Sequence, residues 1–353
     1  MTDTFVIYAN LLGYNHALFD IYFDMFTLSR KAKKALPFSL IICFFICCLV
    51  INPQRYIQSI FSGMLLFAKN VAPALFPFFF FSKLLTGLGG ANALGKALKK
   101  PVSRLYNAPS ESGYILVMSL ISGYPIGAKL ISDFYENGNF SIDNCKKVSS
   151  FTSTSGPLFV VGTVGTLMLS SPKAGYVLFL CHALGALVNG LIYRGRKSEE
   201  KALSMPPAQD DDELLNKSIT SSILSVLVVG GYIAIFSMII DIAIDLKIVD
   251  ALSFLLEKPL SLFGISEQVA EATVISLIEI TRGCQAFAQS GVSIKIILPF
   301  IAGLLSFGGL SITFQSLTFL KGCKVKTSYY LLTKLTQAIV TFLISLAIVN
   351  IFY

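Results

Sequence analysis

Six stretches of this chain contain no Asp, Glu, Lys or Arg: residues 35–54, 148–172, 174–193, 218–240, 296–320 and 335–353. Each matches the roughly 20 residues that a helix needs to cross the hydrocarbon of a bilayer. Backbone in hydrocarbon must satisfy its own hydrogen bonds, which leaves helices or closed barrels. The runs are continuous rather than alternating, so the chain is read as an all-α polytopic membrane protein. Its composition agrees, since 14% of residues are charged and mean hydropathy is +0.71, against roughly 25% charged in soluble domains.

The run at 35–54 follows the basic stretch RKAKK at 30–34, an arrangement that resembles a signal peptide. Some 30 residues precede it and INPQRY after it lacks a small-x-small cleavage site, so it is expected to be a retained extra transmembrane helix. Residues 1–34 then form an N-terminal cytoplasmic or interfacial segment. Beyond it lies an internal repeat. Residues 93–122, ALGKALKKPVSRLYNAPSESGYILVMSLIS, resemble 251–279, ALSFLLEKPLSLFGISEQVAEATVISLIE, with Lys-Pro and SLI recurring. Each half reads as a long apolar segment, an amphipathic stretch holding Lys-Pro, two interrupted helices and an unbroken one. The repeats span 57–193 and 218–353, joined by the polar linker RGRKSEEKALSMPPAQDDDELLNK at 194–217.

Lys and Arg placement sets the expected topology. If segments 109–135 and 267–292 are hairpins that enter the membrane and return, 18 Lys and Arg share the face of RKAKK and of the linker. The opposite face holds five: Arg55, Lys173, Lys247, Lys258 and Lys295. Lys69, Lys83, Lys129, Arg282 and Lys334 fall inside segments and are left uncounted. This asymmetry obeys the positive-inside rule, whereas spanning hairpins would place the RGRK linker outside. The two halves then run in opposite directions, giving two inverted repeats with broken helices and re-entrant hairpins after one extra helix. That architecture recurs in secondary transporters.

The breaks are expected at SGYPIG (Gly123, Pro125, Gly127), STSGP (Gly156, Pro157), TRGC (Gly283) and SFGGLS (Gly308, Gly309). Backbone groups freed there must line a cavity or be buried in protein. Helix N-termini at such breaks attract anions. The candidate solute-binding side chains are Tyr124, Lys129, Ser153, Thr154, Ser155, Glu279, Arg282, Gln285, Ser311, Thr313 and Gln315. Glu279 and Arg282, three apart, can pair with each other instead. Lys129 and Asp133 have the spacing of a near-surface pair.

Enzyme signatures are missing. The chain has two histidines, His16 and His182, and no HExxH, CxxC or GxSxG, so zinc hydrolysis and a Ser-His-Asp triad lack their parts. His182 is expected to be a hydrogen-bonded interior residue. GANALGKA at 90–97 lacks the Ser or Thr that a phosphate loop uses for magnesium. No metal or cofactor is expected. The seven cysteines have no metal spacing, and the net charge of +8 sits in clusters flanking apolar runs rather than in a nucleic-acid motif. The expected partners are a small solute, the lipid bilayer, a coupling ion and a second copy of the chain.

The strings APALFPFFFFSKLL (72–85), SGYPIGAKLISDFYENGNFS (122–141), STSGPLFVVGTVG (153–165) and LIEITRG (277–283) resemble the YlbJ-type sporulation integral membrane proteins. These carry paired nucleoside-recognition or Gate domains, occur in endospore-forming Firmicutes, and are associated with movement of dipicolinic acid from mother cell to forespore. The resemblance covers about residues 57–353. It implies a transporter of a small organic anion, dipicolinic acid first, in the cell membrane or the outer forespore membrane. Gate domains also occur in concentrative nucleoside transporters, which leaves a nucleoside as the second solute class and a non-transporting scaffold or signalling subunit as another reading.

Overall fold

The computed structural model describes residues 30–88, 90–195 and 211–353. Residues 1–29, with His16, and the middle of the linker lie outside the described residues. No strand occurs among the described residues. The chain divides into two compact units, 1–57 and 58–353. Both repeats thus belong to one unit.

In the first unit, α1 (Arg30–Ile51) covers most of the expected extra helix and begins five residues earlier. Phe38, Leu40, Ile41, Phe44 and Val50 are exposed along it. It stops before Pro53, which opens α2 (Pro53–Leu66). Proline suits a first helical turn because its missing N–H has no partner there in any case. The helix continues through a wide π turn, π1 (Phe67–Val71), into α3 (Ala72–Gly87).

Next come α4 (Gly90–Tyr106), carrying Lys100-Pro101, and the arms α5 (Ser112–Ser122) and α6 (Ile126–Glu136). A broken helix follows as α7 (Ile142–Ser149) and π2 (Leu158–Met168), then the unbroken α8 (Pro172–Ile192). The second half gives α9 (Asp211–Asp245), α10 (Ile248–Ser261) carrying Lys258-Pro259, and the arms α11 (Glu267–Ile278) and α12 (Ile280–Gln289). It ends in the broken pair α13 (Ile294–Phe307) and α14 (Gly309–Leu320), then α15 (Thr327–Phe352). The same plan therefore occurs twice. Contacts between the halves are exchanged accordingly: α6 packs on α14 and α12 on π2, while α8 packs on α13 and α15 on α7.

The arms α5, α6, α11 and α12 have 10 to 12 residues, about half of what a full crossing requires. Each pair folds back on itself. Among the described residues four longer segments can cross, Pro172–Ile192, Glu213–Asp245, Ile294–Leu320 and Thr327–Phe352, and the bent pair Leu36–Ile51 and Pro53–Val71 qualifies together.

Polarity is distributed as expected in lipid. On α15, Thr333, Lys334, Gln337, Thr341 and Ser345 are buried, while Leu332, Leu335, Ile339, Leu343 and Leu346 are exposed. A water-soluble helix would reverse that arrangement. The protein is a multi-pass membrane protein.

Candidate functional site

Four chain breaks converge on one pocket. It encloses about 490 Å³ of atom-free space including its mouth, and draws Ser122, Gly123 and Tyr124 from the first hairpin and Ser155 and Gly156 from the first broken helix. Glu279, Ile280 and Thr281 come from the second hairpin, and Ser311, Ile312 and Gln315 from α14. Val71, Leu75, Phe159, Val229 and Ile233 supply apolar wall.

Glycine permits this convergence. Gly123 has φ +76°, and a Cβ there would lie 2.5 Å from the Gly156 nitrogen. Gly309, at φ +69°, brings its Cα against the hairpin backbone, since a Cβ would stand 2.8 Å from the Ser276 carbonyl. A side chain at either position would push a hairpin tip off the broken helix of its own half.

Two of the expected break residues have another role. Gly127 lies inside α6, where a Cβ would sit 2.0 Å from the Thr152 carbonyl and 3.1 Å from the Ser119 Cβ. Gly283 lies inside α12, where a Cβ would sit 1.9 Å from Ser276 Oγ. Gly127 is thus a close-approach point to the first broken helix and Gly283 one between the two hairpin arms. The second hairpin breaks at Glu279 rather than at TRGC: its backbone is extended (φ −143°, ψ +117°) and its carboxylate caps α12. Arg282 N donates to Glu279 Oε2 at 2.7 Å, and Thr281 Oγ1 to Oε1 at 3.0 Å. Glu279 is 1% exposed, so the protein fills this helix N-terminus with its own carboxylate. Pro157 sits just ahead of π2, and Gly308, at φ +86°, ends α13.

The structure does not bring the Arg282 side chain to the pocket. Its guanidinium donates to Asp241 Oδ1 at 2.9 Å and to the Ser237 carbonyl at 3.1 Å, both on α9. Ser59 also donates to Asp241. The distant Asp241, not Glu279, takes the guanidinium. Gln285 is half-buried outside the lining, and Thr313 bonds back to the Gly309 carbonyl. Lys129 pairs with Asp133 at 3.0 Å on an exposed surface.

Ser153 and Thr154 lie behind the wall. Ser153 Oγ meets Tyr330 Oη at 2.7 Å, and its carbonyl accepts from Tyr124 Oη at 2.9 Å. Among the described residues Thr154 Oγ1 is buried without a partner, as are the hydroxyls of Ser122 and Ser311 in the lining. His182 ties the two broken helices together. Ser155 N donates to its Nε2 at 2.8 Å, which leaves the ring proton of the neutral imidazole on Nδ1, 2.7 Å from Ser306 Oγ. Ser306 in turn donates to Thr341 at 2.8 Å.

Sequence reasoning missed Lys334. It is 1% exposed on α15 and donates to Tyr124 Oη at 2.5 Å, the Ser153 carbonyl at 3.1 Å and Gln337 Oε1 at 3.3 Å. Its ammonium also lies 4.6 Å from the Tyr124 ring centre. The polar stripe 333, 334, 337, 341 and 345 is the sequence signal that marks it as inward-facing.

No protein-family model matches the chain. The sporulation integral membrane protein YlbJ of Bacillus subtilis (strain 168) is 27% identical over 310 residues, covering 82% of this chain and 76% of the relative. The chain is thus similar to that membrane protein along most of both lengths. Among solved structures, the chain is similar to a substituted form of CNTnw, a concentrative nucleoside transporter, in its intermediate 1 state, with TM-score 0.50 and 13% identity. That match covers 88% of this chain and 86% of the other. At this identity the likeness concerns fold.

Proposed function

We propose that the protein carries a small polar solute across the membrane by alternating access around the pocket where its four breaks meet. That convergence is the observation that carries the reading. Irregular backbone at membrane depth is tolerated where it lines a cavity or is buried in protein, and broken helices meeting at repeat interfaces are where secondary carriers hold their solutes. The role is passage of a solute rather than a chemical reaction. The halves are read as inverted Gate-like repeats, with both hairpins re-entrant.

Dipicolinic acid is the leading solute. The YlbJ resemblance supports it, and so does the ammonium of Lys334 directly behind Tyr124 in the pocket wall. In a spore-former the outer forespore membrane is then the proposed location. A nucleoside is the second reading, favoured by the Glu279 carboxylate and Gln315 amide in the lining, which suit ribose hydroxyls and base edges.

The deciding experiment is uptake of labelled dipicolinate into proteoliposomes holding the purified protein, with excess unlabelled uridine as competitor. Saturable uptake resistant to uridine supports the anion. Uridine-sensitive uptake, or uridine transport alone, moves the assignment to nucleosides. If neither solute moves unless a partner protein is added, the carrier reading fails in favour of a subunit role.

A further inference from the structure

We propose that the pocket is electrically polarised, and that it selects a solute with an anionic group at one end and a hydrogen-bond donor at the other. Lys334 supplies the positive side and Glu279 the negative. The inference rests on the carrier reading and deepens it, because it selects the singly charged form of a diacid over its dianion and over a neutral solute.

All three donors of the Lys334 ammonium are used, by the Tyr124 hydroxyl, the Ser153 carbonyl and the Gln337 amide oxygen. Each acceptor is neutral, so the bonds are satisfied while the unit charge is not cancelled. Among the described residues no carboxylate pairs with it. A lone ammonium inside a membrane protein is expensive to bury and marks a place where negative charge is welcome. Tyr124 lines the pocket, so the charge stands one aromatic ring behind the wall. A carboxylate seated against that ring would lie roughly 8 Å from the ammonium, and at an effective dielectric of about 20 the attraction favours it about thirtyfold.

Glu279 reaches the same pocket from the other hairpin. Its carboxylate accepts from the Arg282 and Thr281 amides and the Thr281 hydroxyl, at a helix N-terminus worth about half a unit charge. Whatever charge the carboxylate keeps is turned toward the solute, since Glu279 lines the pocket. A second fully charged carboxylate beside Glu279 is repelled, whereas an amide, a hydroxyl or a protonated acid can donate to it.

The unpartnered hydroxyls of Ser122 and Ser311, 2% and 1% exposed in the lining, are free to donate or accept as such a solute requires. The chemical class is a compact monoanion with a neutral donor, such as a half-protonated or half-amidated aromatic diacid.

The test is equilibrium binding of three probes to the full-length protein in detergent: pyridine-2,6-dicarboxylate, its monoamide monoanion and the neutral diamide. The monoamide is expected to bind tightest. Lys334→Gln should erase its advantage over the diamide by about thirtyfold, Lys334→Arg should retain it, and Glu279→Gln should raise the dianion relative to the monoamide. If Lys334→Gln does not fold, the Glu279→Gln ranking decides alone. A wild-type preference for the diamide, or rankings indifferent to Lys334→Gln and Glu279→Gln, overturns the polarised pocket and leaves the carrier reading standing. Failure of all three probes beside tight uridine binding overturns it and the anion assignment together.

Discussion

Arg282 and Asp241 hold the second hairpin to α9 through a partly enclosed ion pair, 2.9 Å long with side chains 25% and 17% exposed. Cutting either partner strands the other in a poorly solvated place. At an effective dielectric of about 20 two unit charges about 4 Å apart attract by about 4 kcal/mol, and removal of one partner of a buried pair typically costs about 3–5 kcal/mol. Arg282→Gln and Asp241→Asn should therefore each destabilise the protein by about 3 kcal/mol. Arg282→Gln also strips a donor from the Ser237 carbonyl, and Asp241→Asn weakens the acceptor for Ser59. The double variant removes both charges and should be less destabilised than the sum of the singles by about 2 kcal/mol. Denaturation in detergent, followed by circular dichroism for all four proteins, measures this cycle. Additivity within about 0.5 kcal/mol would refute the pairing. A transport defect in an Arg282 variant is expected to track this loss of stability rather than lost solute contact.

The glycine seams make a sharper steric prediction. Gly127→Ala and Gly283→Ala should each destabilise by about 2 kcal/mol or more through overpacking, seen as a lower melting temperature, whereas an alanine at Gly231, with open space around it, should not. Ser311→Ala deletes a buried hydroxyl that has no partner among the described residues. Stability should stay within about 0.5 kcal/mol of the parent or rise, while solute affinity falls about tenfold; calorimetry and binding on the same preparation separate the two. His182→Phe keeps a planar ring but removes the acceptor for Ser155 N and the partner of Ser306, at a cost of about 2 kcal/mol or more, read from the denaturation midpoint.

The helical, membrane-embedded class was legible because uncharged runs of membrane length admit few other solutions. The tip of the first hairpin was legible too, since Gly123 and Pro125 advertise a break. The second tip was not. Glu279 makes its break by extending the chain and capping the next helix with its own carboxylate, a device that carries no Gly or Pro signature, and Gly283 nearby drew the expectation four residues too far. The partner of Arg282 was equally hidden, because Asp241 lies 41 residues away on another helix and pattern within one helix cannot report that distance. Lys334 was passed over as a lone charge inside an apolar segment. Its meaning rests on the buried polar residues one and two turns further along α15, which only together define an inward face.

The three bonds of Lys334 also impose an order on biosynthesis. Tyr124 and Ser153 leave the ribosome early, and the residue that fastens them follows Tyr124 by 210 positions. At roughly 5–20 residues per second, that interval is on the order of 10 to 40 seconds. Throughout it the first hairpin tip must wait, inside the translocon or the bilayer, with its carbonyls awaiting their donor. The wall is thus fastened late, by a helix made after every residue of the lining, and a nascent chain arrested before residue 334 should leave Tyr124 open to modification that the finished protein resists.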